Sequence, residues 1–124
     1  MSVKISQLHL SDFMLFQQAD FQWSPGINVI CGTNSTGKTA LIKLMYSLHK
    51  SYEQWNSTET KEAAVNRFSE KLCGVFRPDN GKVGRLVRRK QGNAQMTASM
   101  GYENGTSIDV NFGNRASKIA TLIL

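Results

Sequence analysis

Hydrophobic and polar positions change their spacing three times along the chain. Val3, Ile5, Leu8 and Leu10 outline a first short strand, and the alternation slips around Gln7, the mark of a bulge. Phe13-Met14-Leu15-Phe16 turns the chain. Ala19, Phe21 and Trp23 then share one face of a second strand, with Gln18, Asp20 and Gln22 on the other. Ser24-Pro25-Gly26 reads as a turn. Ile27 to Cys31 is a short apolar run of the kind expected of a strand covered on both faces. Residues 1–31 are therefore predicted as β strands.

The spacing becomes helical after Thr39. Ala40, Leu41, Leu44, Met45, Leu48 and Tyr52 recur at i, i+3, i+4, and Asn56 with Glu59 forms a capping-box pattern that opens a second helix. The buried stripe of that helix is Ala64, Val65, Phe68 and Leu72, ending near Gly74, so helices are predicted over 40–74. Pro78-Asp79-Asn80-Gly81 is a strong turn. Residues 82–113 read as a β-meander. Val83 to Lys90 supplies one strand, Met96 to Tyr102 another, and Ile108, Val110 and Phe112 a third across an Asn104-Gly105 two-residue turn. Lys118 to Leu124 reads as the start of a buried strand.

Composition narrows the class. At 124 residues, with 40% hydrophobic and 19% charged positions, the chain is one small folded unit. The Ile119–Leu124 run is too short to cross a bilayer, and Met1 to Lys4 lacks a signal-peptide core. The predicted location is cytoplasmic, which suits reduced thiols at Cys31 and Cys73. Fifteen Lys and Arg against nine Asp and Glu leave a net charge of +6, favouring a polyanionic partner.

One motif carries specific chemistry. Gly32-Thr33-Asn34-Ser35-Thr36-Gly37-Lys38-Thr39 fits G-x-x-x-x-G-K-[ST], preceded by a predicted strand and followed by a predicted helix. Glycines in such a loop let successive N–H groups face phosphate oxygens, and the helix start adds its own free N–H groups and positive dipole end. The predicted nucleotide contacts are Gly32, Asn34, Ser35, Thr36, Gly37, Lys38, Thr39 and Ala40. Lys38 would face the β- and γ-phosphates, and the Thr39 hydroxyl would ligate Mg²⁺. The bland alternative is a chance match in a Gly/Thr-rich turn.

Ile5-Ser6-Gln7-Leu8-His9-Leu10-Ser11-Asp12-Phe13, Ser24 to Ile30 and the phosphate loop resemble the amino-terminal lobe of ATPases related to SMC, RecF and ABC proteins. The resemblance is nearest to bacterial AAA-type ATP-binding proteins that include the overcoming-lysogenization-defect (OLD) nucleases. It implies an α/β P-loop NTPase of the ABC/SMC-head type, an antiparallel β-lobe beside an incomplete parallel core sheet. It further implies ATP and Mg²⁺ as cofactors, and as partners the remainder of the head and a second head for dimerisation. DNA metabolism or anti-phage defence is the implied setting. Ser35 stands where many relatives have Gly. Met14-Leu15 stands where relatives often carry Arg-Ser, so no Arg contact with nucleotide is implied from that turn.

A strand of four apolar residues ending in Asp or Asp-Glu, needed to hold magnesium and activate water, is absent. Asp109 follows only Ile108, and Ile119–Leu124 ends without a carboxylate. Residues 1–124 are thus expected to be the N-terminal part of a single ATPase head, binding nucleotide without turning it over. No N-K-x-D tetrapeptide occurs, and the early antiparallel strands disfavour a GTPase or kinase. The competing class is a nucleic-acid-binding or protein-interaction module whose loop holds another anion.

Arg85, Arg88, Arg89 and Lys90 are possible nucleic-acid contacts. On a strand, however, Arg85 and Arg89 would face away from Arg88 and Lys90, so a solvated strand face is the bland reading. His9 and His49 have no partners at ligand spacing and read as structural. Phe13 and Phe16 are candidates for flanking a base, while Phe21, Trp23, Met96 and Met100 read as packing.

Overall fold

The computed structural model describes residues 4–24 and 37–124. Five strands, β1 (Ile5–Phe13), β2 (Phe16–Gln22), β3 (Gln95–Tyr102), β4 (Ser107–Gly113) and β5 (Thr121–Ile123), form one sheet in the order β2-β1-β3-β4-β5. Every neighbouring pair is antiparallel. Between β2 and β3 the chain makes two helices, α1 (Lys38–Glu53) and α2 (Lys61–Phe76), then two 3₁₀ turns at Asp79–Gly81 and Val83–Leu86.

Period-two alternation decides which face of the sheet is covered. Leu8 and Leu10, Met96 and Met100, and Ile108 and Phe112 are all at most 2% exposed and share a core with Leu44, Leu48, Phe68 and Leu72 of the helices. The opposite face carries Gln7, His9, Ser11, Thr97, Ser99, Asp109 and Asn111 and remains open to solvent. Across that face His9 pairs in register with Asp20 and Ser99, and its Nδ1 meets the Asp20 carboxylate. The bulge expected at Gln7 is present as a register shift between Ile5 and Gln7 against β3.

Several local expectations are corrected. Asn56 does not cap α2: its Oδ1 accepts the Thr58 N–H in an Asx turn. Thr60 is the cap, accepting the Ala63 N–H at 3.1 Å, and Glu59 pairs instead with Arg67 at 2.8 Å. The helix runs past Gly74 to Phe76 and ends at Arg77 in the left-handed region, φ 51°, immediately before Pro78. The β3–β4 turn has three residues rather than two. The Tyr102 N–H bonds to the Thr106 carbonyl, the Gly105 N–H to the Tyr102 carbonyl, and Gly105 sits at φ 88°.

Val83 to Lys90 is not a strand. Val83, Leu86 and Val87 are buried at i, i+3, i+4, a helical spacing, and they anchor a single 3₁₀ turn followed by an isolated bridge from Val87 to Phe13. Gly84 makes that turn possible, because a Cβ there would lie 2.6 Å from the Asn114 carbonyl oxygen. Lys118–Leu124 yields only the three-residue edge strand β5, covered on one face: Leu122 is 4% exposed but Ile123 is 55% exposed. The apolar run 27–31, on which a parallel sheet would rest, lies outside the described residues.

Two glycines with opposite surroundings test this packing. Gly84→Ala is expected to lower unfolding free energy by about 1–3 kcal/mol through overpacking. Gly74→Ala has no atom within 4 Å of its new Cβ and should stabilise α2 by about 0.5–1 kcal/mol. Urea denaturation of both variants beside the wild type measures the two signs.

Candidate functional site

The start of α1 is the described end of the G-x-x-x-x-G-K-T sequence. Gly37 occupies the N-cap position at φ 84°, ψ 9°, a conformation an L side chain resists, and its carbonyl accepts the Leu41 N–H at 3.0 Å. No side chain caps this helix and no acidic residue lies in its first turn. No carboxylate in the first turn therefore competes for the positive end of the dipole. Lys38 and Ala40 are half-buried and Thr39 is exposed. Gly32, Asn34, Ser35 and Thr36 lie outside the described residues.

The β1–β2 corner packs against this helix start. A Cβ on Gly37 would stand 3.0 Å from Phe16 Cε2 and 3.7 Å from Leu15 Cβ. Glycine is thus required twice, for its positive φ and for the close approach of an aromatic ring. Met14, itself at φ 48°, and Leu15, 62% exposed, form the tip.

Phe13 cannot flank a base. It is fully buried, edge-on to Phe76 with centroids 5.7 Å apart. Phe16 is half-buried, edge-on to Phe21, and spent largely on Gly37. Phe21 and Trp23 stack on each other at 5.4 Å, in keeping with a packing role.

The basic segment is locked to the same corner. The Met14 N–H donates to the Leu86 carbonyl and the Arg88 N–H to the Asp12 carbonyl, each at 2.8 Å. Lys90 is drawn aside, its Nζ 2.8 Å from Asp12 Oδ2. Arg85, Arg88 and Arg89 line two neighbouring cavities, one of about 410 Å³ with Met14, Leu15 and Val87 and one of about 550 Å³ with Asp79, Lys90 and Asn114. The 3₁₀ turn brings the three arginines together where a strand would have split them between two faces. Sequence reasoning missed this surface. Its only linear signal was a leucine and a methionine at a hairpin tip, where polar residues are usual.

The far end of α1 is held by a polar and aromatic cluster. His49 Nδ1 lies 2.8 Å from the Tyr102 hydroxyl, and Tyr52 stacks on both Tyr102 and Trp55. His49 and His9 are thus structural, as their isolation in sequence suggested. Burial raises the Tyr102 pKa well beyond the ordinary tyrosine range, with Tyr52 and Glu53 adding repulsion.

Comparison with known proteins gives this geometry a lineage. The model of a family described as an AAA domain matches residues 7–119. The chain belongs to that AAA domain family. It is also similar to proteins named DNA replication and repair protein RecF. With that of Streptococcus equi subsp. zooepidemicus it shares 27% identity over 99 residues, covering 70% of this chain and 27% of the relative. With that of Limosilactobacillus reuteri it shares 34% over 77 residues, covering 56% and 21%. With that of Renibacterium salmoninarum it shares 46% over 41 residues, covering 33% and 10%. The chain spans about a quarter or less of these relatives' length. No solved structure gave a significant match. Membership of the AAA domain family and the α/β arrangement fit a P-loop NTPase. Among the described residues, no helix is long and apolar enough to cross a membrane.

The Tyr102 cluster makes a pH prediction. Its folded pKa is raised above the unfolded value, so its contribution is complete below about pH 10 and is lost as pH rises beyond that. Stability should fall between pH 10 and 12, and Tyr102→Phe should flatten that slope while costing about 1 kcal/mol at neutral pH. Denaturant titrations at a series of alkaline pH values measure both effects.

Proposed function

We propose that this AAA-family chain binds Mg·ATP as the N-terminal portion of an SMC/RecF-type ATPase head. One observation carries the reading: the uncapped, acid-free start of α1, with Gly37 at positive φ, directly precedes Lys38 and Thr39 in a complete G-x-x-x-x-G-K-T sequence. Lys38 and the backbone N–H groups of residues 34–39 would hold the phosphates. The Thr39 hydroxyl would carry one side of the magnesium, whose charge would offset that of the β- and γ-phosphates.

The antiparallel sheet with the phosphate-loop helix on its apolar face supports the β-lobe of such a head. The short identities with RecF proteins support a client in DNA replication or repair, with DNA, the remainder of the head and a second head as partners. An OLD-like role in phage defence is the finer alternative within the same fold. A nucleic-acid or protein-binding module gripping a different anion is the competing class. It is disfavoured by the Lys-Thr pair, since Thr39 adds a metal ligand that a simple anion does not need.

Hydrolysis would require a carboxylate on a buried strand to complete the metal site and another to orient water. Asp109 is on β4 but faces the open side of the sheet, between Ser99 and Ile123 in register. Glu53 and Glu59 are engaged with His49, Lys50 and Arg67. Turnover by the 124-residue chain alone is therefore not expected.

Calorimetry with Mg·ATP should show Lys38→Ala weakening binding by on the order of 1.5–3 kcal/mol, the loss of a charge-assisted contact. Thr39→Ala should weaken chiefly the magnesium-dependent part. Equal ATP affinity in wild type and Lys38→Ala would reject the assignment. In a phosphate-release assay, Lys38-dependent turnover near ~1 per second, an ordinary enzymatic rate, would show that a carboxylate dismissed above is catalytic.

A further inference from the structure

The strip of backbone that follows the second 3₁₀ turn is paired on one side only. The Leu86 carbonyl accepts the Met14 N–H and the Arg88 N–H donates to the Asp12 carbonyl, so both groups point at the β1–β2 corner. Val87 between them is extended, at φ −69° and ψ 140°, and backbone groups alternate sides along an extended chain. Val87 and Arg89 therefore turn their peptide groups away from the corner. The Val87 N–H closes the 3₁₀ turn on the Gly84 carbonyl at 3.2 Å. Among the described residues, the Val87 carbonyl and the Arg89 N–H and carbonyl have no backbone partner. A short sheet edge is left open, with a donor and acceptors in strand order.

This edge runs through the basic surface. Val87 and the three arginines line both neighbouring cavities, the larger shared with Asp79 and Asn114 and the smaller with Met14 and Leu15. Among the described residues, Arg85, Arg88 and Arg89 form no ion pair, while Lys90 is taken by Asp12. One carboxylate, Asp79, stands against those three cations, so the sum of charges favours an anion. Leu15 is 62% exposed and Met14 37%, which adds an apolar surface to the charge. The strip is also held in place before any ligand arrives. The corner fixes one side of it, and the Gly84 N–H bonds to the Ala116 carbonyl at 3.0 Å.

We propose that Val87–Lys90 is a docking edge for an extended acidic peptide of a partner protein, which adds to it as a short strand. The peptide backbone pairs with the Val87 carbonyl and the Arg89 N–H, its carboxylates neutralise the arginines, and an apolar side chain lies against Met14 and Leu15. A nucleic-acid strand fits less well. Its phosphates supply acceptors only, so the Val87 carbonyl stays unmatched and the apolar surface is unused. A second copy is also the wrong occupant, because the chain's net charge of +6 opposes self-association at its most basic surface. The proposal stands apart from the ATP reading, since none of these residues belongs to the G-x-x-x-x-G-K-T sequence.

Fluorescence anisotropy with a fluorescein-labelled Asp-Leu-Asp-Leu-Asp-Leu peptide tests it, beside the fully N-methylated form of that peptide and a random-sequence DNA duplex. The triple variant R85A/R88A/R89A should bind the peptide about tenfold or more weakly, having lost the charge-assisted contacts. N-methylation keeps every side chain but removes strand pairing, and should also weaken binding about tenfold. Arg89→Pro should bind about threefold or more weakly than Arg89→Ala, because only the proline variant lacks the backbone donor. Circular dichroism checks that each variant is folded; should Arg89→Pro fail to fold, the N-methylated peptide carries the same test. Unchanged binding by the triple variant would overturn the proposal. Equal binding of the two peptides would remove the sheet edge from the site and overturn it as well. No binding of the peptide by wild type, with duplex DNA bound and then lost in the triple variant, would assign the surface to nucleic acid instead.

Discussion

Burial of a single face of an antiparallel sheet under two helices is the constraint from which the rest of this structure follows. The sheet has only one apolar face, and the polar residues alternating with it forbid a second cover of the same kind. α1 and α2 must therefore lie on the same side, with Leu44, Leu48, Phe68 and Leu72 against the strands. Once α1 lies there, its N-terminus meets the β1–β2 corner, and the uncapped helix start gains an apolar neighbour in Phe16 and Leu15. Position of the helix start is thus a consequence of core packing.

That corner is tightly specified for a hairpin. Asp12 and Met14 both adopt positive φ, which costs free energy for residues other than glycine. The strain is offset by backbone bonds to Leu86 and Arg88 and by the fully buried Phe13. Asp12 meanwhile binds Lys90 and removes one cation from the basic cluster. The same few residues thereby join three stretches that are remote in sequence, the hairpin, the helix start and the 3₁₀ turn, into one surface beside the candidate nucleotide site. Membership of the AAA domain family is consistent with a nucleotide at that surface.

Local errors in reading the chain have a shared cause. Asn56 and Glu59 satisfy the capping-box spacing, yet Thr60 wins because Asn56 closes its own Asx turn first. Asn104-Gly105 satisfies the two-residue hairpin pattern, yet the register of β3 with β4 places Gly105 third in a three-residue loop. In each case two nearby residues compete for one backbone role, and the differences, about 1 kcal/mol, are settled by contacts outside the window.

The larger division is between period and partnership. Linear sequence was sufficient for the two amphipathic helices, the strands that alternate strictly, the bulge at Gln7 and the helix start at Gly37. Each of these is encoded by repeat spacing or by a residue whose backbone demands are unusual, as glycine at Gly37. Only the tertiary structure turned Val83–Leu86 into a 3₁₀ turn, because its apolar residues are equally compatible with a short strand until Gly84 meets the Asn114 backbone. Only the tertiary structure could withdraw Phe13 from a ligand-facing role and Lys90 from the free charge, since both depend on partners, Phe76 and Asp12, far away in the chain. The arginine surface is the clearest case. Charge is visible in sequence, but the gathering of Arg85, Arg88 and Arg89 around shared cavities is a property of the turn that carries them and the hairpin it meets.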